Sequence, residues 1–139
     1  MSRKKSESRK DENKKKSELN ERQKFGKLGE DLATQYLENN GYEIVERNFS
    51  CQQGEIDIIA KEKNEIVFVE VKTRKCLTYG TPAEAVTKEK RRHIEKTAQY
   101  YLFTKQLEKK QPVRFDVIEV YVYGNRYRIN HIKQIMWNM

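Results

Sequence analysis

Two β-branched runs separated by a short polar break constrain the fold of this chain more than any other feature. The runs span residues 54–60 and 66–74, and the polar segment between them spans 61–64. This composition is typical of a β-hairpin. The sequence therefore predicts two antiparallel strands that carry acidic residues at positions where apolar residues are expected.

The register of this hairpin follows from the position of its turn. A turn centred on residues 63–64 places Asp57 directly opposite Glu70, and opposed residues lie on one face of a sheet. Side chains alternate along a strand, so Lys72 is expected on the face of Glu70 and Glu55 on the face of Asp57. The hairpin is therefore predicted to gather several charged groups in one small patch.

The opposed carboxylates of Asp57 and Glu70 would repel each other unless a positive charge lies between them. Mg²⁺ binds one or two carboxylates and keeps water at its other positions, which leaves room for a phosphate oxygen and an attacking water. Lys72 would then orient that water or stabilise charge on the phosphate. The alternative is a solvated strand face with a cross-strand salt bridge. Apolar neighbours on both faces of the strands favour a buried pair, in which acids need a partner.

The hairpin and several other segments resemble a known family. Asp57, followed after twelve residues by Glu70-Val71-Lys72, resembles the signature of the PD-(D/E)xK nuclease superfamily, with Ile56 where that signature has proline. The wider motif set resembles the YraN-type family, small bacterial proteins predicted to be endonucleases and distantly similar to archaeal Holliday-junction resolvases. The motifs are Lys27-Leu28-Gly29-Glu30, Gly41-Tyr42, Glu46-Arg47-Asn48, Gly54-Glu55-Ile56-Asp57-Ile58-Ile59-Ala60, Phe68-Val69-Glu70-Val71-Lys72-Thr73-Arg74 and Arg114-Phe115-Asp116-Val117.

This resemblance implies an α/β fold with a restriction-endonuclease-like core, in which helices flank a mixed β-sheet. It also implies a metal-dependent endonuclease that hydrolyses DNA, with branched or junction DNA as a candidate substrate. In that role Asp57, Glu70 and Glu30 bind Mg²⁺ or Mn²⁺, Lys72 acts on the water or phosphate, and Glu55 supports the acids. Two alternatives stay open: a nucleic-acid-binding module without catalysis, and an interaction subunit of a DNA-processing complex.

The charge of the chain favours an anionic partner. It has 29 Lys and Arg against 21 Asp and Glu, a net charge of +8. This balance fits nucleic acid, and the resemblance favours DNA over RNA. Residues 1–16 hold eight basic and three acidic residues. We therefore predict a disordered basic tail over 1–19, which either grips phosphates or acts as a solubilising extension, and a single domain over 20–139.

Several classes of protein are not expected from this sequence. Cys51 and Cys76 form no zinc-binding pattern with His93 or His131. No apolar run reaches the length of a membrane span, and the charged N-terminus lacks the apolar core of a signal peptide. We expect a cytoplasmic protein that does not contact membranes. A homodimer is expected if the substrate is branched DNA, because junction resolvases act as dimers.

The remaining periodicity predicts the element order α-β-β-β-α-β-β. A first helix is predicted from Asn20 to Asn39, ended by Gly41, with Glu30 at the edge of its apolar face. A strand follows over 42–49, with Ile44 and Glu46 expected on the same face. A second helix is predicted from Thr81-Pro82-Ala83-Glu84 to about Leu107, and its core face is expected to contain Val86, Ile94, Ala98, Tyr101 and Leu102. A second hairpin is predicted over 113–132. The C-terminal residues expected to cover a sheet edge are Ile132, Ile135, Met136 and Trp137.

A row of basic residues follows the second predicted helix. Lys88, Arg92 and Lys96 recur every four residues, with Lys90 and Arg91 beside them. Such a row can follow a phosphate backbone, although it is also typical of a solvated helix face. We expect these five residues, together with Arg74 near the acidic patch, to bind nucleic acid.

Overall fold

The described residues form an α/β fold with the predicted order of elements. The computed structural model describes residues 2–75, 88–107 and 110–134, with side chains from Asn20 onward. Its elements are α1 (Ser2–Asn39), β1 (Glu43–Cys51), β2 (Gly54–Glu62), β3 (Glu65–Lys75), α2 (Lys88–Thr104), β4 (Val113–Tyr123) and β5 (Arg126–Ile132). Neither α1 nor α2 has, over its described residues, the length of apolar sequence that crossing a lipid bilayer requires.

The five strands form one mixed sheet in the order β1-β2-β3-β4-β5. β3 pairs with β4 in parallel, and the other neighbouring strands are antiparallel. The β2–β3 hairpin has the predicted register, running from Ile58 opposite Val69 to Glu62 opposite Glu65. The β4–β5 turn uses Gly124 at a φ of 55°, a conformation that suits glycine. Both predicted hairpins are therefore confirmed.

Helix α1 ends where predicted but begins earlier. Gly41, at a φ of 87°, ends the helix, and the Tyr42 N–H donates to the Leu37 carbonyl at 3.0 Å. This bond satisfies a carbonyl that has no partner within the helix. The helix begins at Ser2 and not near Asn20. Lys, Arg and Glu have good helix propensity, and extending a helix that already exists costs little, so a charged segment can continue it. The separate role of residues 1–19 stays a prediction.

An apolar core lies on each face of the sheet, one under each helix. The cluster on the α1 face contains Ala33, Leu37, Tyr42, Ile58, Ala60, Val67, Val69, Ile118 and Val120. The cluster on the α2 face contains Ile56, Ile59, Ile66, Phe68, Ile94, Ala98, Tyr101 and Phe115. β2 and β3 contribute to both clusters, so the strands that carry the acids are buried on both sides, as predicted.

Helix α2 buries the predicted face. Ile94, Ala98 and Tyr101 are buried, and Leu102 packs against them. The helix ends at Thr104, before the predicted end, because Gln106 adopts a left-handed φ of 54°. The predicted start at Thr81-Pro82-Ala83-Glu84, the core residue Val86, and the edge residues Ile135, Met136 and Trp137 all lie outside the described residues.

Strand β1 contains an irregularity that simple alternation does not predict. The register shifts between Ile44, opposite Ala60, and Glu46, opposite Ile59. Ala60 and Ile59 belong to clusters on different faces of the sheet. The extra residue, Val45, is 47% exposed. The prediction that Ile44 and Glu46 share a face is therefore wrong, because a bulge inserts one residue between them.

Candidate metal and nucleic-acid site

Asp57 lies at the point where β2 and β3 separate. The last paired residues are Ile58 and Val69, so Asp57 and Glu70 are the next residues on the two strands. The backbone N–H of Val71 donates to Asp57 Oδ2 at 2.8 Å. The carboxylate of Asp57 thus takes the place of a strand partner, and the backbone of β3 holds it in position.

The backbone around Asp57 departs from strict alternation. Ile56 and Ile59 both pack in the cluster on the α2 face, although they are three positions apart. On β1, Asn48 lies between two paired residues and has a φ of 54°. Asp57 consequently lines a cavity of about 320 Å³ that also contacts Glu30, Asn48 and Glu55. This cavity brings Asp57 and two further predicted acids together beneath α1.

The other acids at this opening act on the pKa of Asp57. Burial, which is the largest cause, and the negative charges of Glu70, Glu30 and Glu55 together raise the pKa of Asp57 to about 7. The hydrogen bond from Val71 opposes the shift. The site therefore has an excess of negative charge around the half-buried carboxylate of Asp57.

Glu70 forms an ion pair with Lys90. The Nζ atom of Lys90 lies 2.5 Å from Glu70 Oε1, and the Glu70 side chain is only 9% exposed. Burial lowers the pKa of Lys90, but the hydrogen bond and charge of Glu70, with Asp57 and Glu55, raise it above its ordinary value. Lys90 was predicted to contact phosphate, and the structure brings it to the acids. The spacing of the basic row identified the residue but not this partner.

Glu30 is held by two residues of β1. Arg47 Nε and Asn48 Nδ2 donate to Glu30 Oε1 at 3.1 and 2.9 Å. Arg47 also bonds Asp31 at 2.6 Å, which ties the helix to the strand. These contacts fix the Glu30 carboxyl at the predicted edge of α1. The Arg47-Asn48 pair was noted only as part of a motif, and its role as the support of Glu30 was missed.

Gly29 allows α1 to approach β3 at this site. A Cβ atom at Gly29 would lie 1.8 Å from Thr73 Oγ1 and 2.7 Å from Thr73 Cβ. Any side chain larger than hydrogen would push the helix away from the strand. Because Glu30 follows Gly29 directly, this close contact sets the height of Glu30 above the sheet.

Lys72 and Arg74 lie beyond Glu70 on β3. Lys72 is half-buried and lies beside Glu119 of β4 in the parallel register. Arg74 Nε is 3.6 Å from Glu119 Oε2, and the Glu119 side chain is 1% exposed. Tyr121 and Asn130 donate to the same carboxylate at 3.0 and 2.8 Å. The structure thus places Arg74, a predicted nucleic-acid contact, against a buried acid that sequence reasoning missed.

The predicted basic row lies on the exposed side of α2. Lys88, Arg92 and Lys96 are exposed, whereas Arg91 is half-buried. The buried Nε of Arg91 has no hydrogen-bond partner among the residues that the structure describes. Since Lys90 of the same helix contacts Glu70, the row begins beside the acids.

The donor set suits a hard divalent cation. Asp57 and Glu70 offer carboxylate oxygens, the ligands that Mg²⁺ and Mn²⁺ prefer. Within the described ranges, no group of three or more His, Cys, Asp and Glu side chains is close enough to hold a metal ion. Two carboxylates with water at the remaining positions are a ligand set that Mg²⁺ accepts.

Comparison with known proteins identifies the family. The family described as "Uncharacterised protein family UPF0102" matches residues 29–120. The chain belongs to UPF0102. A UPF0102 protein of Clostridium botulinum (strain Loch Maree / Type A3) is 52% identical over 111 residues, covering 78% of this chain and 90% of the relative. Another, from Caldicellulosiruptor saccharolyticus, is 51% identical over 104 residues, covering 75% of this chain and 86% of the relative. The YraN-type family membership predicted from the sequence is confirmed.

One UPF0102 motif of this chain has a structural role. Arg114 donates to both carboxylate oxygens of Asp116, at 2.9 and 3.0 Å, and to the Tyr42 hydroxyl at 2.8 Å. His131 Nε2 lies 2.7 Å from Asp116 Oδ2. Burial raises the pKa of Asp116, but its bonds to His131 and Arg114 hold it below the ordinary value. This network joins β4, β5 and the end of α1, nearer the β2–β3 turn than the acids are.

Proposed function

We propose that this protein is a metal-dependent endonuclease that hydrolyses the phosphodiester bonds of DNA. The observation that supports the proposal is the carboxylate of Asp57, which accepts a backbone N–H at the strand opening while three further acids act on it. Such a cluster costs folding free energy unless a cation compensates it. This uncompensated negative charge around Asp57 supports the binding of a cation at the cluster.

Asp57 and Glu70 would hold Mg²⁺ or Mn²⁺, with Glu30 binding the ion or one of its waters. A bound ion of this kind activates water and stabilises charge on a phosphate oxygen. The protein positions the oxygens: Val71 fixes Asp57, and Arg47 with Asn48 fixes Glu30. Glu55 adds negative charge to this arrangement, and we do not propose a direct bond between Glu55 and Asp57.

Lys72 supplies the positive charge that acts on the substrate. It lies two residues after Glu70 on β3, and alternation puts the two side chains on the same face of that strand. An ammonium group here stabilises negative charge on a phosphate or orients the attacking water. Lys90 compensates Glu70 directly, through the 2.5 Å ion pair.

The basic row on α2 is the proposed contact with the DNA backbone. Lys88, Arg92 and Lys96 are exposed, and the row starts next to the ion pair between Lys90 and Glu70. The net charge of +8 adds long-range attraction for a polyanion. A strand lying along α2 would therefore present a phosphate to the acids.

A cleavage assay tests this proposal. Branched, duplex and single-stranded DNAs are incubated with the protein and Mn²⁺, and in parallel with a chelator. We expect cleavage of at least one DNA with Mn²⁺ and none with the chelator, and loss of cleavage in Asp57→Asn. Glu38→Gln is the matched control, since Glu38 is an exposed acid on α1 outside the cavity that Asp57 lines and should keep activity. If no DNA is cut with Mn²⁺, the proposal is wrong.

One observation favours a second function, a nucleic-acid-binding module without catalysis. Glu70 already has a cation partner in Lys90, and the described residues hold no three-ligand metal cluster. In such a module the acids would serve only to position Lys90 and α2. Its affinity for DNA would be the same with Mn²⁺ and with a chelator at constant ionic strength, which fluorescence anisotropy measures directly.

A further inference from the structure

We propose that a cleft beside Asp57 binds one unpaired nucleobase, stacked on the ring of Phe25. The inference rests on the proposed function, because it names the substrate class of the same site: a strand with an unpaired nucleotide next to the bond that is cut. Base stacking on Phe25 is not required by the acids around Asp57 or by the basic row on α2, so it is tested separately.

Two cavities along α1 form the cleft. One of about 370 Å³ is lined by Glu21, Arg22, Phe25 and Lys75. The second, of about 320 Å³, shares Arg22 and Phe25 and extends to Asp57. Each volume falls within the range of about 300 to 1,000 Å³ that is typical of ligand clefts. A group bound against Phe25 is therefore next to the carboxylate that would hold the metal.

Phe25 is placed as a stacking platform and not as a core residue. Its ring belongs to neither of the two apolar clusters under the helices. It is half-buried and lines both cavities. The Nζ atom of Lys75 lies 5.5 Å from the ring centroid. An aromatic ring that lines a cleft is suited to stacking against a base, because every base offers a flat π-face.

Charges around Phe25 match the remaining parts of a nucleotide. Arg22 and Lys75 are exposed cations at the rim, placed to bind the phosphates on either side of a stacked base. Glu21 lines the same cavity and offers a carboxylate to the amino groups of a base. The cleft thus combines an aromatic ring with cations, as single-strand-binding grooves do, and adds one hydrogen-bond acceptor.

Only an unpaired base can enter this cleft. In a duplex each base is stacked between its neighbours and paired, so its face is not available to a protein ring without unstacking, which costs a few kcal/mol. The free energy of unstacking is small for a single strand, a flap or an unpaired nucleotide at a branch point. The cleft therefore favours DNA with an unpaired nucleotide over uninterrupted duplex.

The experiment uses the full-length protein with chelator, so that no strand is cut. A single-stranded oligonucleotide containing 2-aminopurine reports stacking by fluorescence quenching, and anisotropy with a labelled strand reports affinity. We expect quenching with wild type, loss of quenching in Phe25→Leu, and retention in Phe25→Trp. Phe25→Leu should weaken single-strand binding by about 5- to 150-fold, the loss expected for one base stacked on an aromatic ring, and leave duplex binding unchanged. Phe103→Leu is the matched control, because Phe103 is 81% exposed on α2, away from the cleft.

Three results of the binding assay would overturn the inference: no quenching with wild type, equal loss of single-strand and duplex affinity in Phe25→Leu, or the same loss in Phe103→Leu. The first result needs no variant, so it decides the matter even if Phe25→Leu is poorly folded. Because the assay contains no metal and no cleavage, it can succeed when the nuclease proposal fails. Cleavage of duplex DNA alone with an unchanged Phe25→Leu variant would overturn this inference while supporting the nuclease.

Discussion

Lys90 Nζ lies 2.5 Å from Glu70 Oε1, so a helix ammonium group compensates the more deeply buried of the two acids at the strand opening. The Lys90 side chain is 50% exposed, whereas that of Glu70 is 9% exposed. A cation that replaces Lys90 at this carboxylate can therefore release the lysine into solvent, while Glu70 stays buried. A divalent cation at Glu70 would compete with Lys90 for the same carboxylate. Metal binding at Glu70 would therefore affect the contact that Lys90 of helix α2 makes with the site.

The first prediction follows from this competition. Lys90→Ala removes the competing ammonium, and we expect Mn²⁺ to bind about 3- to 10-fold more tightly, the effect of a half-exposed ion pair. Binding to duplex DNA should weaken at the same time. Lys96→Ala is the control, since Lys96 is exposed on the same helix and should weaken DNA binding without changing metal affinity. Titration calorimetry measures the metal constant, and a weaker Mn²⁺ affinity in Lys90→Ala would contradict competition.

The second prediction concerns the pH dependence of stability without metal. The pKa of Asp57 is raised to about 7 in the folded protein, so the native state holds a proton that the unfolded chain releases near its ordinary pKa of 3.8. The stability that protonated Asp57 contributes is present below the ordinary pKa and is lost as the pH rises through about 7. Between about pH 4.5 and pH 8, wild type should therefore lose roughly 1 to 3 kcal/mol relative to Asp57→Asn.

Urea denaturation in chelator at both pH values measures this difference. Asp57→Asn should be the more stable protein at the higher pH, and adding Mn²⁺ should reverse the order by stabilising wild type alone. Parallel stability curves for the two proteins from low to high pH would show that Asp57 carries no such shift.

The hairpin could be predicted closely because two local rules agree on it. The polar turn fixes the register, and the apolar positions on both faces fix the burial, so the pairing from Ile58–Val69 to Glu62–Glu65 follows from the sequence. The direct opposition of Asp57 and Glu70 stays a prediction, because the pairing ends one position before them. The break in alternation at Asp57 could not be predicted. It lies beside the left-handed backbone of Asn48 on a neighbouring strand and at the point where β2 separates from β3, which are tertiary features.

The third prediction tests the close contact of α1 with β3. Gly29→Ala puts a methyl group 1.8 Å from Thr73 Oγ1, so the helix must move and carry Glu30 with it. We expect a loss of roughly 1 to 3 kcal/mol in unfolding free energy, as for other overpacked sites, and loss of Mn²⁺ affinity. Gly26→Ala is the control. A Cβ there has no atom within 4 Å, so the variant should gain up to about 1 kcal/mol from helix propensity.

Thermal and urea unfolding of both variants provide the measurement. Equal stability of Gly29→Ala and Gly26→Ala would mean that Thr73 yields freely and that the contact does not set the position of Glu30.

The fourth prediction concerns the network around Asp116. Arg114→Ala leaves the Asp116 carboxylate, which is 1% exposed, without its bidentate partner. Breaking a buried pair in this way costs roughly 3 to 5 kcal/mol. Glu65→Gln, which removes only a half-exposed partner of Arg114, should cost less than about 1 kcal/mol. Urea denaturation at neutral pH compares the two, and similar losses would show that Asp116 is not the residue that depends on Arg114.

Residues that act across the sheet were beyond sequence reasoning for a physical reason. Arg74 meets the buried Glu119 because β3 and β4 run in parallel, a pairing that joins segments far apart in the chain. Lys90 was identified by its spacing, but the rotation of α2 about its axis decides whether it points to solvent or to Glu70. Spacing finds the residues of a helix face, and packing decides what they contact.

The most direct test of the nuclease account is single-turnover cleavage by Lys72→Ala with saturating Mn²⁺, on whichever DNA wild type cuts. The control is Lys61→Ala, an exposed lysine on β2 near the hairpin turn. Metal affinity should be unchanged or slightly tighter in Lys72→Ala, because a nearby positive charge opposes the ion. The cleavage rate should fall by roughly 10² to 10⁴, the usual loss for a positioned proton-transfer or charge-stabilising group. Cleavage by Lys72→Ala at the wild-type rate would contradict the account.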